Sequence, residues 1–247
     1  MIRFDRVSFR YNEKQETSFE IREVSFSCSG NKIYGFIGGN GSGKSTFARL
    51  ISGLLMPDSG LIEVCGTNTT AEHAEIHKNV GIIFQNPENQ IVGTTVEEDI
   101  AFGLENLSIP SEEMPEKIQM VAKELGIENL LKKPVHHLSG GQQQLLCIAS
   151  VMVMRPDWLI FDEPTSHLDP WSRQKFWNIL DHLKKEKEVG IIVISQISDD
   201  FDHFDQIKVF SAGDIVFSGS PEELKKRSEL KEIVHFPEKW KFEELQS

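Results

Sequence analysis

The chain is short of the features that would take it out of ordinary folded-protein chemistry. Its three cysteines, Cys28, Cys65 and Cys147, are scattered and form no C-x-x-C pair. That excludes a zinc site or a disulfide framework and fits a reducing compartment. No apolar run approaches the roughly 20 residues that a membrane-spanning helix needs, and the opening MIRFDRVSFRY lacks the apolar stretch of a signal peptide. Any membrane role is therefore expected to be peripheral, through a partner. Basic charge is scarce as well: 26 Lys and Arg face 38 Asp and Glu, a net charge of −12. This balance repels a phosphate backbone, so no nucleic-acid partner is expected. No internal repeat or low-complexity linker is visible. What is left, 247 residues at 39% hydrophobic and 26% charged, suffices for one large domain or two modest ones with a sizeable core.

Against that background one segment carries a definite chemistry. Gly38, Gly39, Asn40, Gly41, Ser42, Gly43, Lys44, Ser45 and Thr46 read GGNGSGKST, which matches the G-x-x-x-x-G-K-[ST] spacing of a Walker A phosphate-binding loop. A chain of this length and average composition shows the pattern by chance only about once in a hundred. The apolar run Lys32 to Ile37 before it reads as a strand, and Ser45 to Leu55 after it carries apolar residues at helical spacing. The glycines let successive N–H groups and a helix N-terminus point at phosphates, Lys44 supplies a cation, and Ser45 supplies a hydroxyl for Mg2+. The expected ligand is a nucleotide.

The rest of the chain reads as an α/β protein. The first thirty residues alternate apolar and polar, as in Val7 to Tyr11 and Ile21 to Ser27, which predicts an antiparallel β-layer. Pro57 to Gly60 reads as a turn, Leu61 to Val64 as a strand, and Val80 to Phe84 as a strand buried on both faces. From Thr95 to Lys133 the pattern turns helical, with Thr95 and Glu98 placed as a capping box and Ile118, Val121, Ala122 and Leu125 on one face. A helical subdomain, about residues 95–155, is expected to be inserted in the sheet. Strand-helix alternation resumes with Trp158 to Phe161, a helix begun by Asp169-Pro170, and Ile191 to Ile194. Two short strands, Ile207 to Phe210 and Ile215 to Phe217, precede a charged helix capped at Ser220.

Two further motifs bear on the chemistry. The strand WLIF ends in Asp162 and Glu163, a Walker B pattern at the carboxyl edge of a parallel sheet. Alternation along a strand predicts opposite directions for them: Asp162 toward the magnesium shell, Glu163 toward a water as general base. In Leu138 to Gln142, LSGGQ, Ser139 and Gln142 form a capping box around Gly140 and Gly141. Those glycines leave a bare helix N-terminus suited to an anion.

In these motifs the sequence resembles the nucleotide-binding subunits of ABC transporters, where LSGGQ is the signature that faces the γ-phosphate of an ATP held by the opposite subunit. The resemblance runs over nearly the whole chain. It implies an ABC-type P-loop NTPase fold over 1–220 with a helical tail at 221–247, ATP and Mg2+ as ligands, and a second ATPase subunit as partner. It further implies that Gln85 is a Q-loop residue reaching magnesium and that Ser166-His167-Leu168-Asp169 is the D-loop at the dimer interface. Tyr11 fits either an adenine-stacking aromatic or a strand aromatic of the β-layer. Phe84 to Asn106 is similar to the Q-loop region of the energy-coupling-factor ATPases, which drive uptake of vitamins and of cobalt or nickel ions. That likeness implies a transmembrane coupling subunit, a separate substrate-capture subunit and a place on the cytoplasmic face of the membrane. Val96, Ile100, Ala101 and Phe102 would form the groove for a coupling helix. One departure stands out: where the family has a switch histidine, this chain has Gln196, which cannot carry a proton or a positive charge. A slow site on its own P-loop and an intact signature imply a heterodimer. His136 and His137 read as surface residues. Rival readings are the ATPase of another import system and a soluble ABC ATPase, the latter disfavoured by the single cassette and the acidic charge.

Overall fold

The computed structural model describes residues 1–11, 19–70, 73–166, 168–237 and 240. Alternating residues pair β1 (Ile2–Arg10) with β2 (Glu20–Cys28) antiparallel, burying Ile2, Phe4, Val7 and Phe9 from one strand and Ile21, Val24 and Cys28 from the other. β3 (Ile33–Ile37) is buried throughout, as a continuous apolar run requires, and leads to α1 (Lys44–Ile51). β4 (Ser59–Val64) and β5 (Thr67–Asn68) complete the first sheet in the order β2-β1-β4-β5. The turn expected at 57–60 is shorter than its sequence suggests. The Asp58 N–H donates to the Ser8 carbonyl at 2.8 Å and Ser59 pairs with Ser8, so the strand begins two residues early.

α2 (His73–Asn79) and β6 (Val80–Ile83) come next, then three helices: α3 (Val96–Asn106), α4 (Met114–Leu125) and α5 (Gly140–Met152). The chain returns as β7 (Trp158–Asp162), α6 (Pro170–Lys187), β8 (Gly190–Ile194), β9 (Gln206–Ser211), β10 (Asp214–Gly219) and α7 (Pro221–Leu224). The second sheet has the order β10-β9-β3-β8-β7-β6, parallel from β9 to β6 with β10 antiparallel at the edge. The expected antiparallel layer, parallel sheet and inserted helices are all present, the helices lying between the adjacent strands β6 and β7.

Residue parity divides the core. On one face of the parallel sheet Tyr34, Phe36, Trp158, Ile160, Ile192 and Ile194 pack with α1 and the β-layer. On the other, Ile33, Ile37, Leu159, Phe161, Ile191 and Val193 pack with the helices. Beyond β10 the described chain is helical only in α7 and a 3-10 turn at Ser228–Glu232. Leu224, Leu230, Val234, Phe236 and Trp240 then join the helix-side core, so this segment is a packed strap. Among the described residues no helix is long and apolar enough to cross a membrane.

The inserted helices sit close because Gly103 faces α5: a Cβ added there would lie 2.5 Å from the Ser150 carbonyl oxygen. A backbone atom cannot rotate away, so Gly103→Ala must push α3 off α5. Overpacking of this kind costs about 1–3 kcal/mol, and urea denaturation should show the midpoint falling with an unchanged slope.

Candidate active site

β3 delivers the phosphate loop to the carboxyl edge of the parallel sheet. Gly43, with φ 108°, caps α1 in a conformation open to glycine, and a Cβ at this position would lie 2.5 Å from the Phe19 ring. Gly38, with φ 148°, passes so near β9 that a Cβ would meet the Phe210 carbonyl oxygen at 2.2 Å. The Lys44 ammonium donates to the carbonyls of Gly38 and Gly39, both at 2.9 Å. Burial pulls its pKa below the ordinary lysine value, while Glu163 and Asp162 oppose that shift. The Ser42 hydroxyl is buried with no hydrogen-bond partner among the described residues. A bound phosphate would satisfy both features, adding negative charge beside a desolvated cation and an acceptor for an orphaned hydroxyl.

β7 brings Asp162 beside the loop, where Ser45 Oγ donates to its Oδ1 at 3.2 Å. Burial raises the Asp162 pKa above the usual carboxylate value, partly offset by that hydrogen bond. Glu163 departs from the sequence expectation. It lies just past the end of the strand with φ 51°, so a left-handed turn, not strand alternation, sets its direction. Gln85 Nε2 donates to Glu163 Oε2 at 3.1 Å, and Gln196 Nε2 donates to Oε1 of the same carboxylate. Gln196 also donates to Asn40 Oδ1 at 2.8 Å, which links it to the phosphate loop. Glu163 is therefore bracketed by two amides. Tyr11 lies edge-on to Phe9, with its hydroxyl 3.3 Å from Thr46 Oγ1; the β-layer packs it, and it also reaches the start of α1.

Ser139, Gly140, Gly141 and Gln142 lie elsewhere. Their capping box is formed: Gln142 N donates to Ser139 Oγ at 3.4 Å, and Ser139 N donates to Gln142 Oε1 at 3.1 Å. Ser139, Gly140 and Gly141 line a cleft of about 350 Å³ with Gln85 to Glu88 and with Ser166, Leu168 and Asp169, and no residue of the phosphate loop borders it. His167 lies outside the described residues. The structure thus unites Asn40, Lys44, Ser45, Gln85, Asp162, Glu163 and Gln196, while the signature lines a neighbouring cleft that has Gln85 in common with this group and no phosphate-loop residue. His136 and His137 are exposed, with their rings edge-on to each other at 4.2 Å.

The proposed coupling groove is corrected by burial. Val96 and Ile100 are core residues, whereas Phe102 is 46% exposed. Residues two apart on a helix do not share a face. Sequence reasoning also missed the polar residues that hold the loops. Gln144 Nε2 donates to the Pro164 carbonyl at 2.8 Å, and Asp99 accepts from Val92 N, Gly93 N and Ser150 Oγ. Neither residue belongs to a recognised motif, and each has a partner, Pro164 for Gln144 and Ser150 for Asp99, that only folding makes a neighbour.

A phosphate loop on a parallel sheet, an acidic pair at the end of a neighbouring strand and a separate glycine-rich helix N-terminus define an ATP-binding cassette. The family described as ABC transporter matches residues 21–166. The Energy-coupling factor transporter ATP-binding protein EcfA1 of Bacillus subtilis (strain 168) is 41% identical over 95% of this chain and 83% of its own length. A solved structure of cbiO1 from Clostridium perfringens, described as part of the ABC transporter complex cbiONQ, is 31% identical, with a TM-score of 0.81 over 90% of this chain and 89% of that one. A dimeric ATP-binding cassette in a post-hydrolysis state with ADP and Pi has a TM-score of 0.79 at 22% identity, over 90% of this chain and 99% of that one, a likeness of fold. This chain belongs to the ABC transporter family, among its energy-coupling factor ATP-binding proteins; it is an ATPase.

Lys44 and Glu163 should separate binding from turnover. Lys44→Ala removes charge-assisted hydrogen bonds of about 1.5–3 kcal/mol each and should weaken ATP binding by on the order of 100-fold. Glu163→Gln should leave binding intact and lower the rate by about 100-fold or more. Nucleotide titration and phosphate release from the assembled complex measure the two effects.

Proposed function

We propose that this chain hydrolyses ATP to drive an energy-coupling-factor importer for a vitamin or a transition-metal ion, working as a heterodimer with a second ATPase subunit. The observation that carries this reading is the separation of the phosphate loop from the signature cleft. One chain offers two anion-binding elements that do not meet, and a facing subunit would complete each. On this reading the ATP held by Lys44 and the loop N–H groups meets the partner's signature, while Ser139, Gly140, Gly141 and Gln142 meet the partner's ATP.

Ser45 Oγ, Asp162 Oδ1 and the side-chain oxygen of Gln85 are hard donors that suit Mg2+. When bound, the ion would neutralise charge on the phosphate oxygens. The chain's own residues do the rest. Glu163, held by the Gln85 and Gln196 amides, accepts a proton from the water as its oxygen attacks the γ-phosphorus. The bond to the β–γ bridging oxygen breaks and ADP leaves. Lys44 counters the phosphate charge throughout. Gln196 donates a hydrogen bond but cannot supply the cation available to a histidine, so this site turns over slowly and the partner's site carries more of the flux.

Division of labour has a direct test in reconstituted uptake. Ser139→Arg, which puts bulk against the partner's ATP, should reduce transport more than Glu163→Gln, and Gln196→His should raise hydrolysis at this chain's own site. Equal loss from Ser139→Arg and Glu163→Gln would mean two equivalent sites, and an active homodimer of this chain would end the heterodimer reading.

The membrane subunits would be a transmembrane coupling subunit and a substrate-capture subunit, with this chain on the cytoplasmic face. Phe84, Val92 and Phe102 are exposed in the segment that follows the strand β6, and on this reading they are the apolar side chains offered to the coupling subunit. Phe102→Glu should reduce detergent copurification with it while ATP binding persists, whereas a charge at buried Ile100 should unfold the helical subdomain. Undiminished assembly of Phe102→Glu would move the contact elsewhere.

A further inference from the structure

Asp200 lies in a 3-10 turn spanning Ser198–His203, fully buried, and belongs to none of the nucleotide motifs. Three donors from three separate elements converge on its carboxylate. Thr165 Oγ1 donates to Oδ2 at 2.6 Å, Ser195 Oγ donates to Oδ2 at 2.7 Å, and Trp177 Nε1 donates to Oδ1 at 3.1 Å. Thr165 and Ser195 are themselves buried. A desolvated carboxylate needs such donors, yet their identity matters more than their number. Thr165 stands two residues after Glu163, and Ser195 immediately precedes Gln196.

The anchoring continues on both sides. Ser195 Oγ also accepts from Ile197 N at 3.0 Å, so the residues flanking Gln196 are both held. The Glu163 N–H donates to the Ile194 carbonyl at 3.0 Å, and Leu168 N donates to the Thr165 carbonyl at 3.3 Å. The side chains of Gln85 and Gln196 reach the half-buried Glu163 from exposed positions, where side-chain contacts alone hold geometry weakly. Beneath them, Thr165, Asp200 and Ser195 join the loop bearing Glu163 to the turn bearing Gln196. From Thr165 the same loop runs on to Ser166, Leu168 and Asp169, which border the signature cleft.

We propose that Asp200 is a positioning residue for hydrolysis: through Thr165 and Ser195 it fixes Glu163 against Gln196 and links both to the loop at 166–169. This rests on the reading that the site hydrolyses ATP with Glu163 as base. A displacement of loop 166–169 by a docking subunit is carried to Gln196 through one carboxylate. ATP binding, which depends on the phosphate loop, does not pass through it.

The test uses the complex assembled with the second ATPase and membrane subunits. Thr165→Val and Ser195→Ala each remove one donor at small change of volume, and Thr165→Ser keeps the hydroxyl. Misplacement of a catalytic group by about 1 Å can cost on the order of 100-fold, so Thr165→Val and Ser195→Ala should lower kcat by about 10- to 100-fold. ATP affinity should stay near wild type while Tm falls by a few degrees, because a buried carboxylate loses a donor, and Thr165→Ser should restore kcat. Glu163→Gln is measured alongside. If Glu163→Gln hydrolyses ATP normally, the underlying reading of the site fails. If Glu163→Gln is inactive while Thr165→Val and Ser195→Ala keep wild-type kcat, only the role of Asp200 is overturned. Parallel loss of kcat, ATP affinity and Tm, unrescued by Thr165→Ser, would reduce Asp200 to a structural support and overturn it as well.

Discussion

Everything at the nucleotide site hangs on the backbone register of three parallel strands. Phe36 of β3 and Asp162 of β7 are both aligned with Ile194 of β8, so all three strands end at one level. Two hydrogen bonds extend that register past the strand ends: Ser195 N donates to the Phe36 carbonyl and Glu163 N to the Ile194 carbonyl. The phosphate loop, the acidic pair and Gln196 are consequently delivered to one edge by the ladder itself. A slip of one residue in any of these pairings would turn side chains to the opposite face and scatter the site. The chemistry is therefore as stable as the core beneath it, where Phe36, Trp158 and Ile192 pack on one side and Phe161 and Val193 on the other.

The ends of elements were readable because their signals are local. The pairs Thr95 and Glu98, Ser139 and Gln142, and Ser220 and Glu223 all form capping boxes, and Asp169 caps α6 ahead of Pro170. A cap is decided within four residues, and four residues of sequence reveal it. The phosphate loop and the acidic strand end are local in the same sense. Asp99, Gln144 and Asp200 were not readable, since each has a partner distant in the chain: Thr165 lies 35 residues from Asp200, and Ser150 lies 51 from Asp99. Two errors have geometric causes. Glu163 escapes strand alternation because the strand has already ended, and Ile100 and Phe102 point apart because a helix turns by about 100° per residue.

The two amides on Glu163 give the site an uneven character. Gln85 and Gln196 can orient a carboxylate, and neither brings a formal charge to it. The positive charge in this half of the site comes from Lys44, which bonds to its own loop through the Gly38 and Gly39 carbonyls. Phosphate entry therefore exchanges one set of acceptors around the ammonium for another. On the reading proposed above, the signature, with its formed capping box, meets a ligand held by the partner subunit, and binding and hydrolysis then rest on different parts of the molecule.

The strap after β10 ends, among the described residues, at Trp240, whose indole N–H donates to Asp202 Oδ1 at 2.9 Å while its ring packs against Phe201 and lies under the Lys225 ammonium. Phe201 and Asp202 sit in the same short turn as Asp200. The turn that backs Gln196 is thus clamped by a residue 38 positions later in the chain. Proteins emerge from the ribosome amino-terminus first, so β3, β7 and β8 are all made before Trp240. The edge that carries Glu163 and Gln196 is therefore braced from behind only once residue 240 has been added to the chain.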